Sequence, residues 1–239
     1  MKKFGLNDFF KKINYDWKAD KDVIQEICRL TKTRVKDPIP PEILSPGMEQ
    51  AFFLKSVTDF VRPKRILEIG TGRGTGSYCM SLTNSVEHVT TVDVIPFEQK
   101  QQTAIGYQAA IASNSDFFTL VQTKEKNKIS FQLRYDFSNP NGFDFAFIDG
   151  DHSNKEVILD DFKLCEHVLD NNGVIVWDDY SLVEDHFEVR NVVDEIVRDK
   201  GVNVFMVEFR GHLFGGEPEK DSGEVLMFKD GVLNENLYK

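Results

Sequence analysis

The sequence is short of several things, and each shortage narrows what the chain can be. Its 239 residues hold only three cysteines, Cys28, Cys79 and Cys165, far apart and without a CxxC pair. That excludes a cysteine zinc site and a disulfide framework, and it fits a reducing compartment. Basic residues are outnumbered: 29 Lys and Arg stand against 39 Asp and Glu, a formal net charge of −10. A uniformly acidic protein repels phosphate backbones, so nucleic acid is not an expected partner. No apolar run nears the length of a membrane span. The N-terminal MKKFGLNDFFKK has neither an apolar signal core nor a cleavage site. A cytoplasmic protein with no membrane partner is therefore expected. Internal repeats and long low-complexity segments are also missing.

What is present is enough for one domain. An apolar fraction of 41% supplies a core of ordinary size. Residues 1–46 differ from the rest. Val23, Ile24, Ile27 and Leu30 share one helical face, and the stretch DPIPPEILSPG (37–47) holds four prolines. A short helix followed by an extended linker is expected there, with the main domain at 47–239. The extension is a candidate surface for a second copy of the chain.

From residue 47 onward, helical and strand patterns alternate. Helices are expected at 47–61, 74–84, 97–113, 129–137, 153–169 and 184–200. Strands are expected at 65–69, 88–92, 117–122, 143–149, 174–178, 202–209 and 224–228. Ser153 and Glu156 fit a capping box for the fifth helix, and Gly173 lies just past its end. Such alternation implies an α/β fold: a doubly wound, mainly parallel sheet with helices on both faces. The last two strands are joined by too short a loop for a crossover helix, so one of them runs antiparallel. In this architecture ligands sit at the carboxyl ends of strands, where strand order reverses.

One such end carries the segment RILEIGTGRGTGS (65–77). Gly70, Gly72, Gly74 and Gly76 follow a strand and precede a helix, as in a nucleotide-binding turn. The dinucleotide fingerprint G-x-G-x-x-G fails in either frame, because Thr75 and Ser77 stand where its third glycine belongs. Glu68 decides further: a carboxylate beside a pyrophosphate is repulsive, but beside a cation it is favourable. Asp93 ends the next strand, 23 residues after Gly70, where a carboxylate can accept from both ribose hydroxyls. A ligand with a ribose and a cation but no phosphate is S-adenosyl-L-methionine.

LEIGTGRGTG, VDV, FIDGDHS and NGVIVWDDY together resemble the class I methyltransferases that use S-adenosylmethionine. More narrowly, they resemble the metal-dependent small-molecule and sugar O-methyltransferases, over about residues 45 to 230. The resemblance implies a seven-stranded Rossmann-like sheet with an antiparallel last strand. It implies cofactor binding by Glu68, Gly70, Thr71, Gly72, Gly74, Asp93 and Asp149, with Met48 in the segment that caps the cofactor.

Asp149 and Asp151 follow one central strand, and Asp178 and Asp179 follow the next. Neighbouring strands lie about 4.8 Å apart, so these carboxylates converge and need a cation. Hard oxygen donors suit Mg²⁺, with Mn²⁺ or Ca²⁺ as substitutes. The resemblance places the metal ligands at Asp149, Asp178 and Asp179, with Asp-Asp where catechol-type enzymes have Asp-Asn. It points to two catalytic bases, Asp151 first, with His152 close behind. The acceptor is expected to be a hydroxyl-bearing small molecule, a sugar among the candidates. Trp177, Tyr180 and segments 181–188 and 210–220 are expected to shape its pocket, with the second segment mobile and His212 within reach. The competing reading is an NAD-dependent sugar oxidoreductase or epimerase, against which the missing third glycine and Glu68 both count.

Overall fold

Alternating apolar runs place successive side chains on opposite faces of a strand, so each strand needs cover on both sides. In the computed structural model, which describes residues 1–31, 46–93, 118–122, 142–183, 188–215 and 217–229, that cover is helical. The elements in chain order are β1 (Lys2–Gly5), α1 (Leu6–Ile13), α2 (Lys21–Leu30), a 3-10 turn (Pro46–Met48) and α3 (Glu49–Val61). They continue with β2 (Arg65–Ile69), α4 (Thr75–Ser81), β3 (His88–Asp93), β4 (Phe118–Gln122) and β5 (Phe143–Ile148). Last come α5 (Lys155–Val168), β6 (Leu169–Ser181), α6 (Val189–Lys200), β7 (Val204–Glu208) and β8 (Ser222–Phe228). The helices expected at 97–113 and 129–137, and the proline-rich stretch before Pro46, lie outside the described residues.

The sheet order is β1-β7-β8-β6-β5-β2-β3-β4. Every pairing is parallel except those of β8, which runs antiparallel to both β6 and β7. All seven expected strands are present, and the last is the antiparallel one. The eighth, β1, pairs with β7 from Lys2↔Phe205 to Gly5↔Glu208. It is short and polar, without a period-2 pattern that could reveal it in the sequence. Behind it, Leu6, Phe9 and Phe10 of α1 are buried in the same core as Phe53 of α3 and Phe205 of β7. Each such side chain contributes roughly 1.5–3 kcal/mol on burial.

Two cores flank the sheet. Ile66, Phe145, Phe147, Val176 and Leu226 face α1 to α4. Their neighbours Leu67, Ala146, Ile148, Ile175 and Val225 face α5 and α6. Connections run outward from the centre in both directions, so strand order reverses between β2 and β5, the place where such sheets bind ligands.

The start of α5 corrects one expectation. Asn154, not Ser153, caps it, its side chain accepting from the N–H groups of Glu156 and Val157. Ser153 instead donates its N–H and its hydroxyl to Asp151 Oδ1, both at 2.8 Å. The far end differs too: the helix stops at Val168 and the chain passes directly into β6, which contains Gly173.

Candidate active site

The glycine loop sits at the switch point. Gly70 N–H donates to Val92 O and Asp149 N–H donates to Ile69 O, each at 2.7 Å, which draws the ends of β2, β3 and β5 together. Gly70 has φ +97°, and a Cβ there would lie 1.7 Å from the carbonyl oxygen of Asp149. Only glycine allows this approach. Gly72 differs: a Cβ at that position meets nothing within 4 Å. Its N–H donates to Asp93 Oδ2 at 3.0 Å, and the hydroxyls of Thr71 and Thr91 are 2.7 Å apart. An open glycine backbone with a carboxylate at its edge fits an adenosine-bearing ligand better than a second packed layer.

Glu68 lies beneath this loop and is 1% exposed. Its Oε2 accepts from the hydroxyl of Ser77 and from that of Thr91. A Cβ on Gly76 would come within 2.4 Å of its other oxygen, so α4 can pack over it only because that residue is glycine. Burial pushes the Glu68 carboxyl up to about 7, against the pull of the two hydroxyls. Any favourable action of Glu68 on a bound cation is therefore that of a buried charge below the loop. Met48 is buried among the aromatic residues of the α3 core.

The acidic centre is built around an irregularity of β6. Trp177 pairs with Val225 and Tyr180 with Gly223, so Asp178 and Asp179 together face Glu224 alone. This is a β-bulge, which bends a strand and redirects its side chains. Asp179 takes φ +54°, a left-handed conformation that Asp tolerates better than most residues. The bulge separates the two aspartates. Asp178 joins Asp149 and His152 in a cluster whose donor atoms all lie within 4.8 Å of one another. Asp179 turns to His152, its Oδ2 2.9 Å from Nδ1, while His152 Nε2 lies 3.3 Å from Asp149 Oδ1.

Charge accumulates here. Burial and the Asp178 charge hold the Asp149 carboxyl well above its ordinary value. Burial pulls His152 down, but its bonds to Asp149 and Asp179 outweigh this and raise it to about 10. Without another cation the imidazolium is the neutralising charge. Asp151 stands apart: partial burial raises its carboxyl, but the Ser153 bonds outweigh that and hold it below the ordinary range.

Three neighbours went unnoticed in the sequence. Glu224 is fully buried on β8, and burial and the Asp178 charge raise its carboxyl far above normal. Gln50 Nε2 donates to Asp178 Oδ1 at 2.9 Å and to Glu224 Oε1 at 2.8 Å. Glu49, fully buried, accepts the N–H groups of Gly211, His212, Leu213 and Phe214 at 3.0–3.1 Å. The one available signal was a carboxylate inside the apolar run EVLMF. Residues 211–214 of the segment expected to be mobile are thus tied to α3 by four N–H groups on the Glu49 carboxylate. His212 packs against Gly5. Trp177 and Tyr180 pack in the core on the α5 and α6 side, and the Tyr180 hydroxyl donates to Asp194.

Comparison with known proteins agrees with this geometry. Residues 67–180, from the glycine strand to the bulge, match the family described as a methyltransferase domain. Among solved structures, an SAH-bound methyltransferase of Podospora anserina superposes with a TM-score of 0.56 at 18% identity, covering 87% of this chain and 88% of that one. An O-methyltransferase of Bacillus cereus in complex with SAH gives 0.55 at 19% identity, covering 86% and 89%. At these identities the likeness is one of fold. An uncharacterized protein of Acanthamoeba polyphaga mimivirus is 43% identical over 60 residues, which span 25% of this chain and only 27% of that protein. The chain has the Rossmann-like fold of the class I methyltransferases, and its resemblance to them stands. Among the described residues, no helix is long and apolar enough to cross a membrane.

Proposed function

We propose that this chain transfers a methyl group from S-adenosylmethionine to a hydroxyl oxygen of a small, hydroxyl-rich acceptor, a sugar among the candidates. A divalent cation assists, Mg²⁺ foremost. The observation that carries this reading is adjacency. Gly70 of the open loop rests against the backbone of Asp149, so the donor site and the acidic centre share one strand end.

In the reaction a lone pair of the acceptor oxygen attacks the methyl carbon. The carbon–sulfur bond breaks, its electrons stay on sulfur, and the sulfonium becomes a neutral thioether. The hydroxyl proton must pass to a base. His152 suits this role better than Asp151. Asp179 engages Nδ1, which leaves Nε2 toward the centre, whereas Asp151 is occupied by Ser153 and weakly basic. Asp149 and Asp178 supply hard oxygen donors and His152 stands beside them, a set that fits Mg²⁺ or Mn²⁺. The cation, when bound, lowers the acceptor hydroxyl's pKa and orients it. With a cation held there, Asp149 and Asp178 would favour the protonated His152 less, leaving Asp179 as its principal partner. Asp179, expected as a ligand from the sequence, is better read as the group that orients His152.

Calorimetry with S-adenosylmethionine and with NAD tests the donor half. Binding of the first and not the second is expected; the reverse would return the chain to the oxidoreductase reading. The acidic proteins' preference for non-nucleic partners, a cytoplasmic location and a homodimer through the N-terminal residues belong to the same proposal.

A further inference from the structure

We propose that Gln50 is a positioning residue for the acidic centre, holding the Asp178 carboxylate in its cation-binding orientation by bridging it to Glu224. The inference rests on the cation reading above. A side-chain amide carries two N–H donors, and Gln50 Nε2 directs them to two different carboxylates, at 2.9 Å and 2.8 Å. A lysine here would neutralise the centre and compete with a cation. A third carboxylate would add repulsion. A neutral double donor does neither: it fixes one oxygen of Asp178 and leaves the other for the centre.

Glu224 is the far end of this bridge. It is fully buried, and its Oε2 has no hydrogen-bond partner. The β6 bulge sets it opposite Asp178 and Asp179, and Gln50 spans the gap from Glu224 to Asp178. Gln50 is itself anchored. The preceding Glu49 is held by four N–H groups of residues 211–214, which ties the first turn of α3 to the loop between β7 and β8. Outer partners of ligating carboxylates commonly govern cation affinity in this way.

The test is calorimetric titration of Mn²⁺ into the full chain without S-adenosylmethionine. Gln50→Met keeps the length and removes both donors; it should bind Mn²⁺ about tenfold or more weakly than the wild type. S-adenosylmethionine affinity should be unchanged. Gln50→Asn keeps the amide one methylene shorter, cannot reach both carboxylates and should also bind the cation more weakly; it carries the test if Gln50→Met does not fold. Wild-type Mn²⁺ affinity in either folded variant overturns the inference while leaving the cation reading intact. A parallel loss of S-adenosylmethionine affinity and melting temperature also overturns it, since that marks a merely structural residue. If the wild type binds no Mn²⁺, the cation reading fails and the inference with it.

Discussion

The two halves of the site are built by different means. The glycine loop is made mostly of backbone from one contiguous segment, with Gly72 N–H on Asp93 and Gly70 against Asp149. The acidic centre is made of side chains from α3, β6, β8 and the loop after β5, and its bridge from Gln50 to Glu224 spans 174 residues. A backbone site tolerates side-chain change but not added volume. A side-chain site tolerates volume change better than a change of charge or donor. Substitutions should therefore separate the halves.

The largest expected effect is on the acidic side. His152→Ala should lower turnover by about 10²- to 10⁴-fold with S-adenosylmethionine affinity kept, the usual cost of losing a general base. Asp151→Asn should lower it far less. Single-turnover kinetics on both variants checks this, and the opposite ranking would hand the base role to Asp151.

On the loop side, Gly70→Ala places a methyl 1.7 Å from a carbonyl oxygen. Left-handed strain and overpacking together should remove roughly 2–5 kcal/mol of stability. Gly72→Ala, with open space around it, should cost only about 1–2 kcal/mol of strain. Urea unfolding of the two proteins gives the contrast; equal losses would mean that the loop does not approach Asp149 as closely as described.

These two regions were also unequally legible. The loop could be read because glycine spacing, the preceding strand and Asp93 all lie within one short segment. Asp149, Asp178 and His152 could be named because each follows a buried strand, but not how they would be shared out. That depends on the bulge opposite Glu224, which no local pattern announces. Asp179, also expected as a ligand, lies with its Oδ2 2.9 Å from His152 Nδ1, a contact the sequence does not announce. Gln50 and Glu49 look like ordinary helix residues until the sheet brings β8 and residues 211–214 to them. The β1 edge strand is illegible for a related reason: its pairing with β7 is a matter of backbone bonds, and KKFG carries no strand pattern.

A smaller effect concerns Glu68. Its carboxyl is raised to about 7 by burial, so it favours folding most when protonated. That stability is fully present below the ordinary carboxyl range, about 4.3. It is lost as pH rises through about 7. The loss is on the order of 3 kcal/mol. Glu68→Gln should flatten this part of the pH–stability curve, measured by denaturation between pH 4.5 and 8. The ionised carboxylate also favours a sulfonium above it, so S-adenosylmethionine should bind the wild type more tightly as pH rises and the variant less so. A wild-type curve as flat as the variant's would contradict the burial account.

In the proposed function one strand end serves two separable tasks, donor binding on glycine backbone and acceptor activation on a cation held by Asp149 and Asp178. This is tested most directly by exhaustive EDTA treatment, with S-adenosylmethionine affinity and methyl transfer to a hydroxylated acceptor measured before and after. Affinity should be unchanged and transfer abolished, with recovery when Mg²⁺ or Mn²⁺ is restored. Full transfer in EDTA would overturn this and leave Asp149 as a partner of His152 and Asp178 as a partner of Gln50.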